Sequence, residues 1–292
     1  LRFNEQGGPV AISSTTESTG HDDHHHHAPN DQCMHCRLDY DFELPQELIN
    51  AARERELVLF TGAGISTEVS SVFPETVYQI IRSKVDAPEE ETLDFPQVMQ
   101  RYQEKFSRQE LVRLIKRKFD YIDSFPQPRH EARKFHRELA TMPYLRDIIT
   151  TNWDTYFEEE AMATPFVSGE DTALYNMPGR RLFKIHGSMT NLASLVITHD
   201  DYDRKLEELK SNVMGAFLRQ LLATKTVVFV GYSLTDWNFQ RLYEALREDM
   251  KAYAPKAYMI SPFPNPEAEK FNLTLLQTSA SPRNVGVVTV SG

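Results

Sequence analysis

The stretch Leu57-Val58-Leu59-Phe60-Thr61-Gly62-Ala63-Gly64-Ile65-Ser66 decides the fold. A short unbroken apolar run that ends at a glycine pair reads as a strand buried on both faces, the kind a parallel sheet supplies. Glycine lacks the Cβ that would keep a bulky ligand away from backbone N–H groups. The turn Gly62, Ala63, Gly64, Ser66 and Thr67 therefore suits a phosphate-bearing ligand. It is not the dinucleotide fingerprint G-x-G-x-x-G, because Thr67 takes the place of the third glycine. It is not a P-loop either, because no Gly-Lys-Ser/Thr follows. A plain tight turn explains the glycine pair alone equally well.

Further apolar runs extend the pattern. Asp147-Ile148-Ile149-Thr150, Leu182-Phe183-Lys184-Ile185 and Thr226-Val227-Val228-Phe229-Val230 read as strands, with Ala257 to Ile260 and Val285 to Val290 as later candidates. Helical patterns separate them: Pro45 to Arg53, Tyr202 to Leu222 and Asn238 to Lys251. Strands alternating with helices predict an α/β, Rossmann-like doubly wound parallel sheet. Thr76 to Tyr144 breaks the rhythm with helical periodicity and no clear strand, so a helical insertion is expected at about residues 76–145. Residues 1–43 form a polar arm containing His and Cys, and residues 44–292 form the folded domain.

The 292 residues carry a net charge of −10, which argues against direct nucleic-acid binding. No stretch approaches the roughly 20 apolar residues of a membrane span. The only two cysteines, Cys33 and Cys36, form no disulfide framework and suit a cytoplasmic protein. With His21 and His24 to His27 nearby, their Cys-x-x-Cys spacing makes a structural zinc site one reading and a solvated polar arm the other. The chain opens on Leu rather than Met, so it is read as a fragment candidate.

Three more blocks follow strands, where ligands of open α/β sheets bind. They are Thr150-Thr151-Asn152-Trp153-Asp154, His186-Gly187-Ser188 and Gly231-Tyr232-Ser233-Leu234-Thr235-Asp236. Together with Gly-Ala-Gly-Ile-Ser, and in the same order, they resemble the four signature blocks of the sirtuin family over roughly residues 45–262. The likeness is closest to the bacterial sirtuin-like branch, which has Thr-Thr-Asn where deacetylases have Thr-Gln-Asn. Members of that branch commonly consume NAD in defence against phage.

The resemblance implies Asn152 and His186 as catalytic residues. Chemistry agrees: an amide offers donors and acceptors for ribose or water, and a neutral imidazole is a base near cellular pH. Cutting the nicotinamide–ribose bond leaves positive charge on the ribose, as in glycoside cleavage. For Asn152 and Asp154 the competing role is capping the helix that follows. The dinucleotide-binding set implied is Gly62, Ala63, Gly64, Ser66, Thr67, Asp154, Gly231, Tyr232, Ser233 and Ser261. Ser261 stands where the family often has Asn.

Two departures shape the expected activity. No cysteine follows Cys36, so the deacetylases' zinc module is absent. Ser70-Ser71-Val72-Phe73-Pro74-Glu75 replaces their Pro-Asp-Phe-Arg stretch. The expected reaction is NAD hydrolysis to nicotinamide and ADP-ribose by a regulated antiphage effector, with cyclisation of ADP-ribose left open. The alternatives are an NAD-dependent protein deacylase and a non-enzymatic NAD or ADP-ribose sensor. Because constitutive NAD loss is toxic, the resemblance also implies control through a homo-oligomer or a sensor or ATPase partner.

Overall fold

The computed structural model describes residues 44–66, 75–86, 88, 91–234 and 237–278. Thr67, Cys33, Cys36 and the candidate strand Val285 to Val290 lie outside them.

Among the described residues, seven strands form one parallel sheet: β1 (Leu57–Thr61), β2 (Asp147–Thr150), β3 (Ala163–Phe166), β4 (Arg180–Lys184), β5 (Thr226–Val230), β6 (Ala257–Ser261) and β7 (Thr274–Gln277). The order across the sheet is β3-β4-β2-β1-β5-β6-β7. The chain builds outward on one side of β1 and then returns to build on the other. The topological switch point therefore falls between β1 and β5, where Leu57 pairs with Thr226 and Thr61 with Val230. This is the doubly wound α/β sheet that the alternating runs predict.

Side-chain alternation divides β1 between two cores. Val58 and Phe60 pack with Phe183, Val227, Phe229 and Met259, while Leu57 and Leu59 pack with Ile148, Leu182, Val228 and Tyr258. The first face is covered by α8 (His199–Ser211), α9 (Val213–Thr224) and α10 (Trp237–Met250) through Leu209, Leu218, Leu222, Phe239 and Tyr243. The second is covered by α1 (Gln46–Arg53) through Leu48 and Ala52, with contributions from Leu139 and Phe157. With both faces covered, the strands need no polar alternation, and all five residues of β1 are buried.

Among the described residues, five α-helices lie between β1 and β2: α2 (Val77–Arg82), α3 (Phe95–Lys105), α4 (Arg108–Ser124), α5 (Pro126–Ala132) and α6 (Lys134–Ala140). Their starts are chemically marked. Thr76 and Asp94 each form a capping box with the Gln three residues on, and the Ser107 hydroxyl accepts from the Glu110 amide. Helices α2 to α4 share a core with Leu195, Ile197 and Trp153, which joins them to the loops after β2 and β4. Arg108 strengthens the joint by donating to Asp201 at 2.5 Å and to the Leu195 carbonyl at 2.6 Å.

One local expectation changes, and two edge strands are added. The helical run Tyr202 to Leu222 is two helices, because the Asn212 side chain accepts from the Gly215 amide and starts α9 afresh. Strand β3 carries Pro165 and is tolerated because it forms the sheet's edge. Strand β7, at the other edge, is only partly buried and gives little sequence signal. Helix α7 (Tyr156–Ala161) follows β2 directly, and α11 (Pro266–Lys270) precedes β7.

Candidate active site

The ends of β1, β2, β4, β5 and β6 carry the sequence-predicted residues, all at carboxyl ends. The β1 turn lies directly against the β5 turn. The Gly64 amide donates to the Gly231 carbonyl at 2.9 Å, and the Gly62 amide to the Val230 carbonyl at 3.4 Å. A Cβ on Gly62 would come within 2.7 Å of the Tyr232 ring, and one on Gly64 within 2.9 Å of the Gly231 Cα. Gly231 has a left-handed φ of 61°, and a Cβ there would come within 2.6 Å of the Ile65 amide. The glycines are thus required by two backbones touching across the switch point, a reason independent of any ligand. Ala63 and Gly64 remain exposed at the crest of the turn.

Ser66 turns back from this crest to meet the end of β2. Its hydroxyl donates to Asp154 Oδ2 at 2.9 Å and accepts from Asn152 Nδ2 at 3.2 Å. A hydroxyl has one proton, and an ionised carboxylate can only accept. Asp154 therefore claims the Ser66 proton, Ser66 must accept from Asn152, and the amide of Asn152 is oriented with Oδ1 as its remaining acceptor. Asp154 also accepts the Tyr156 amide at 3.1 Å through Oδ1, so it holds both Ser66 and the turn that leads into α7. Asn152, 8% exposed, spends its side chain on Ser66 rather than on the helix.

His186 is placed by β4. Thr150 registers with Lys184, and the Ile185 amide donates to the Thr150 carbonyl at 3.0 Å. Asn152 and His186 thus lie two residues beyond registered positions on adjacent strands. The His186 ring is 7% exposed, lies 4.9 Å from the ring of Tyr202 and borders a small apolar cavity lined by Phe60, Ile149, Leu209 and Phe239. Gly187 follows with φ 87°, where a Cβ would lie 2.2 Å from the Ser194 carbonyl oxygen. The Val196 amide donates to the His186 carbonyl at 3.0 Å, so the loop to Thr198 closes back on the strand end.

The remaining predicted residues are more peripheral. Tyr232 is buried against Phe60, with ring centroids 4.7 Å apart. Ser233 is exposed and its carbonyl accepts from Asn265. The Ser261 hydroxyl is engaged in its own turn, donating to the Phe263 carbonyl at 2.8 Å and accepting from the Phe263 amide. Among the described residues no group of His, Cys, Asp and Glu is arranged to hold a metal ion, and no helix is long and apolar enough to cross a membrane.

Sequence reasoning passed over Lys184. Its side chain is fully buried, and Nζ donates to the Asp154 carbonyl, to Glu158 Oε1 at 2.8 Å and to the Trp153 carbonyl at 3.5 Å. The available signal was a lysine inside an apolar strand, where a charge needs dedicated partners.

Residues 146–280 match the model of the SIR2-like domain. Defense-associated sirtuin 2 of Bacillus subtilis is 26% identical over 242 residues, covering 77% of this chain and 22% of that protein. The NAD(+) hydrolase ThsA of Enterococcus faecium is 34% identical over 118 residues, 38% of this chain and 24% of that protein. The ThsA of Cytobacillus dafuensis is 25% identical over 210 residues, 70% of this chain and 40% of that protein. The chain therefore spans less than half the length of these relatives.

Proposed function

We propose that this chain, whose residues 146–280 match the SIR2-like domain and which is similar to a defense-associated sirtuin, hydrolyses NAD to nicotinamide and ADP-ribose. The observation that carries the reading is the Asn152–Ser66–Asp154 chain of hydrogen bonds between the ends of β1 and β2, beside the paired Gly64 and Gly231 turns of the switch point. It offers a fixed acceptor, Asn152 Oδ1, where a ribose hydroxyl or a water needs to be held. The relatives named NAD(+) hydrolase support the substrate.

In this reading the exposed Ala63–Gly64 backbone and the Gly231–Ser233 turn flank the pyrophosphate and adenosine side, with Ser261 near the adenosine ribose. The carbon–nitrogen bond breaks with its electron pair passing to the pyridinium ring, which leaves as neutral nicotinamide. Water forms the new bond to the ribose carbon, and its proton passes to His186. General-base help of this kind is worth a factor of about 10² to 10⁴. The test is product analysis after incubation with NAD. Nicotinamide and ADP-ribose from the wild type, and neither from Asn152→Ala, is the expected result. Turnover that requires an acetylated peptide would replace hydrolysis with deacylation, and unaltered cleavage by the variant would remove Asn152 from the mechanism.

The same reading places the protein in the cytoplasm as an antiphage effector held in check by self-assembly or by a sensor or ATPase partner. It rests on the toxicity of unrestrained NAD loss and on the named defence relative. Full cleavage by the isolated chain, with specific activity independent of protein concentration, would contradict it.

A further inference from the structure

We propose that Lys184 is a positioning residue: it clamps the backbone of Trp153 and Asp154 from inside the fold and thereby holds Asn152 in register with His186. The proposal rests on the catalytic reading of Asn152 and His186.

A fully buried ammonium is costly unless each N–H is matched. Lys184 has three donors, and three acceptors surround it: the Asp154 carbonyl, the Trp153 carbonyl and Glu158 Oε1. Two of these are main-chain oxygens of the loop that bears Asn152, and the third belongs to α7, which the loop enters. Replacing a buried ion pair by apolar side chains of similar volume is often neutral or stabilising, so stability alone does not account for this one. Its geometry does. The residue whose carbonyl Lys184 holds is Asp154, whose carboxylate holds Ser66, whose hydroxyl holds the Asn152 amide. Lys184 itself lies on β4, two residues before His186. One side chain thus connects the strand end that presents the candidate base to the loop that presents the candidate amide. The Trp153 carbonyl additionally accepts from the Met189 amide at 2.8 Å, so the loop is held from both the interior and the segment after His186.

The test compares wild type with Lys184→Met and with the double variant Lys184→Met, Glu158→Leu, which leaves no unpaired buried charge. Hydrogen exchange of amides 151–156 is measured against those of β5, alongside steady-state NAD cleavage. In the wild type the loop amides should be protected like those of the flanking strands. In the double variant they should exchange at least about tenfold faster with β5 unchanged. The kcat should fall by about a hundredfold, the scale of a small misplacement in a reacting site, with KM within about threefold. Unchanged loop exchange would overturn the proposal. So would loss of protection across the whole sheet, or failure of the double variant to fold, since Lys184 would then serve stability alone. Should the wild type prove unable to cleave NAD, the hydrolase reading falls, while the exchange measurement still decides whether Lys184 clamps the loop.

Discussion

Replacing Ser66 by Ala removes one oxygen and two hydrogen bonds, and both ends of the loss matter. Asp154 loses the proton that Ser66 donates, and Asn152 loses the acceptor that fixes its amide. The amide becomes free to rotate, so Oδ1 no longer faces one direction. A hydrogen bond involving a charged group is worth about 1.5–3 kcal/mol, which corresponds to roughly a tenfold to hundredfold loss in kcat. The melting temperature should fall as well, because Asn152 and Asp154 are buried and each loses a hydrogen-bond partner. Steady-state kinetics with NAD check this, and an unchanged kcat would detach Ser66 from the site. Residue-scale roles like this were only half legible. Asn152 and His186 stand out as polar residues at strand ends, but the direction of a hydroxyl proton depends on which carboxylate comes beside it, and that requires β1 and β2 to be neighbours. Lys184 was hidden for a related reason: its partners are carbonyl oxygens, which every residue has.

At the scale of elements, the β1 and β5 turns act as one unit. A methyl group on Gly64 would meet the Gly231 Cα at 2.9 Å, inside normal contact, and both atoms belong to backbones fixed by the central strands. Gly64→Ala should therefore cost about 1–3 kcal/mol, as overpacking does, and should also weaken NAD binding by separating the two turns. Denaturant unfolding and calorimetric titration measure the two effects. Wild-type stability in the variant would show that the turns can move apart freely. The strands that build this unit were legible because β1, β2 and β5 are continuous apolar runs. Strand β3 was not, since Ala163-Thr164-Pro165-Phe166 contains the residue least suited to a ladder and is tolerated only at an edge. The helix boundary at Asn212 was missed because the apolar periodicity continues across it, and only the side-chain bond to the Gly215 amide marks the break.

For the whole molecule, the response to acid follows in part from buried groups outside the predicted site residues. Burial lowers the pKa of His136, with the positive charge of Arg133 adding to the effect and Asp154 opposing it. Its ring lies against Phe157 at 4.4 Å and Tyr156 at 5.5 Å. A lowered pKa means that the unfolded chain takes up the proton first. His136 therefore costs no stability above its ordinary value of 6.5, and the cost grows as pH falls from there towards the lowered folded value. Glu158 works in the opposite sense: burial raises its pKa against the pull of Lys184, so between its ordinary 4.5 and the raised value stability falls as pH rises. The wild-type slope also sums other shifted groups, among them Asp123, raised by burial, and Asp201, lowered against burial by its hydrogen bonds and Arg108, and a variant isolates one contribution. His136→Phe keeps an aromatic ring against Phe157 and removes the proton site. Unfolding free energies at pH 8 and pH 5 should differ less favourably for the wild type than for the variant. Parallel pH dependence in the two proteins would exclude His136 as the source.

The order of strands also governs when the molecule can work during its own synthesis. The centre of the sheet joins Leu57 to Thr226, so β1 keeps one open edge until the ribosome has released β5. Contacts between segments so far apart in the chain form late and slowly. Until then the Gly64 turn has no Gly231 turn to rest on. A nascent or prematurely terminated chain ending before β5 carries Asn152 and His186 but not the Gly231 turn. For a protein proposed to destroy a central metabolite, that order would delay any activity until β5 has been made.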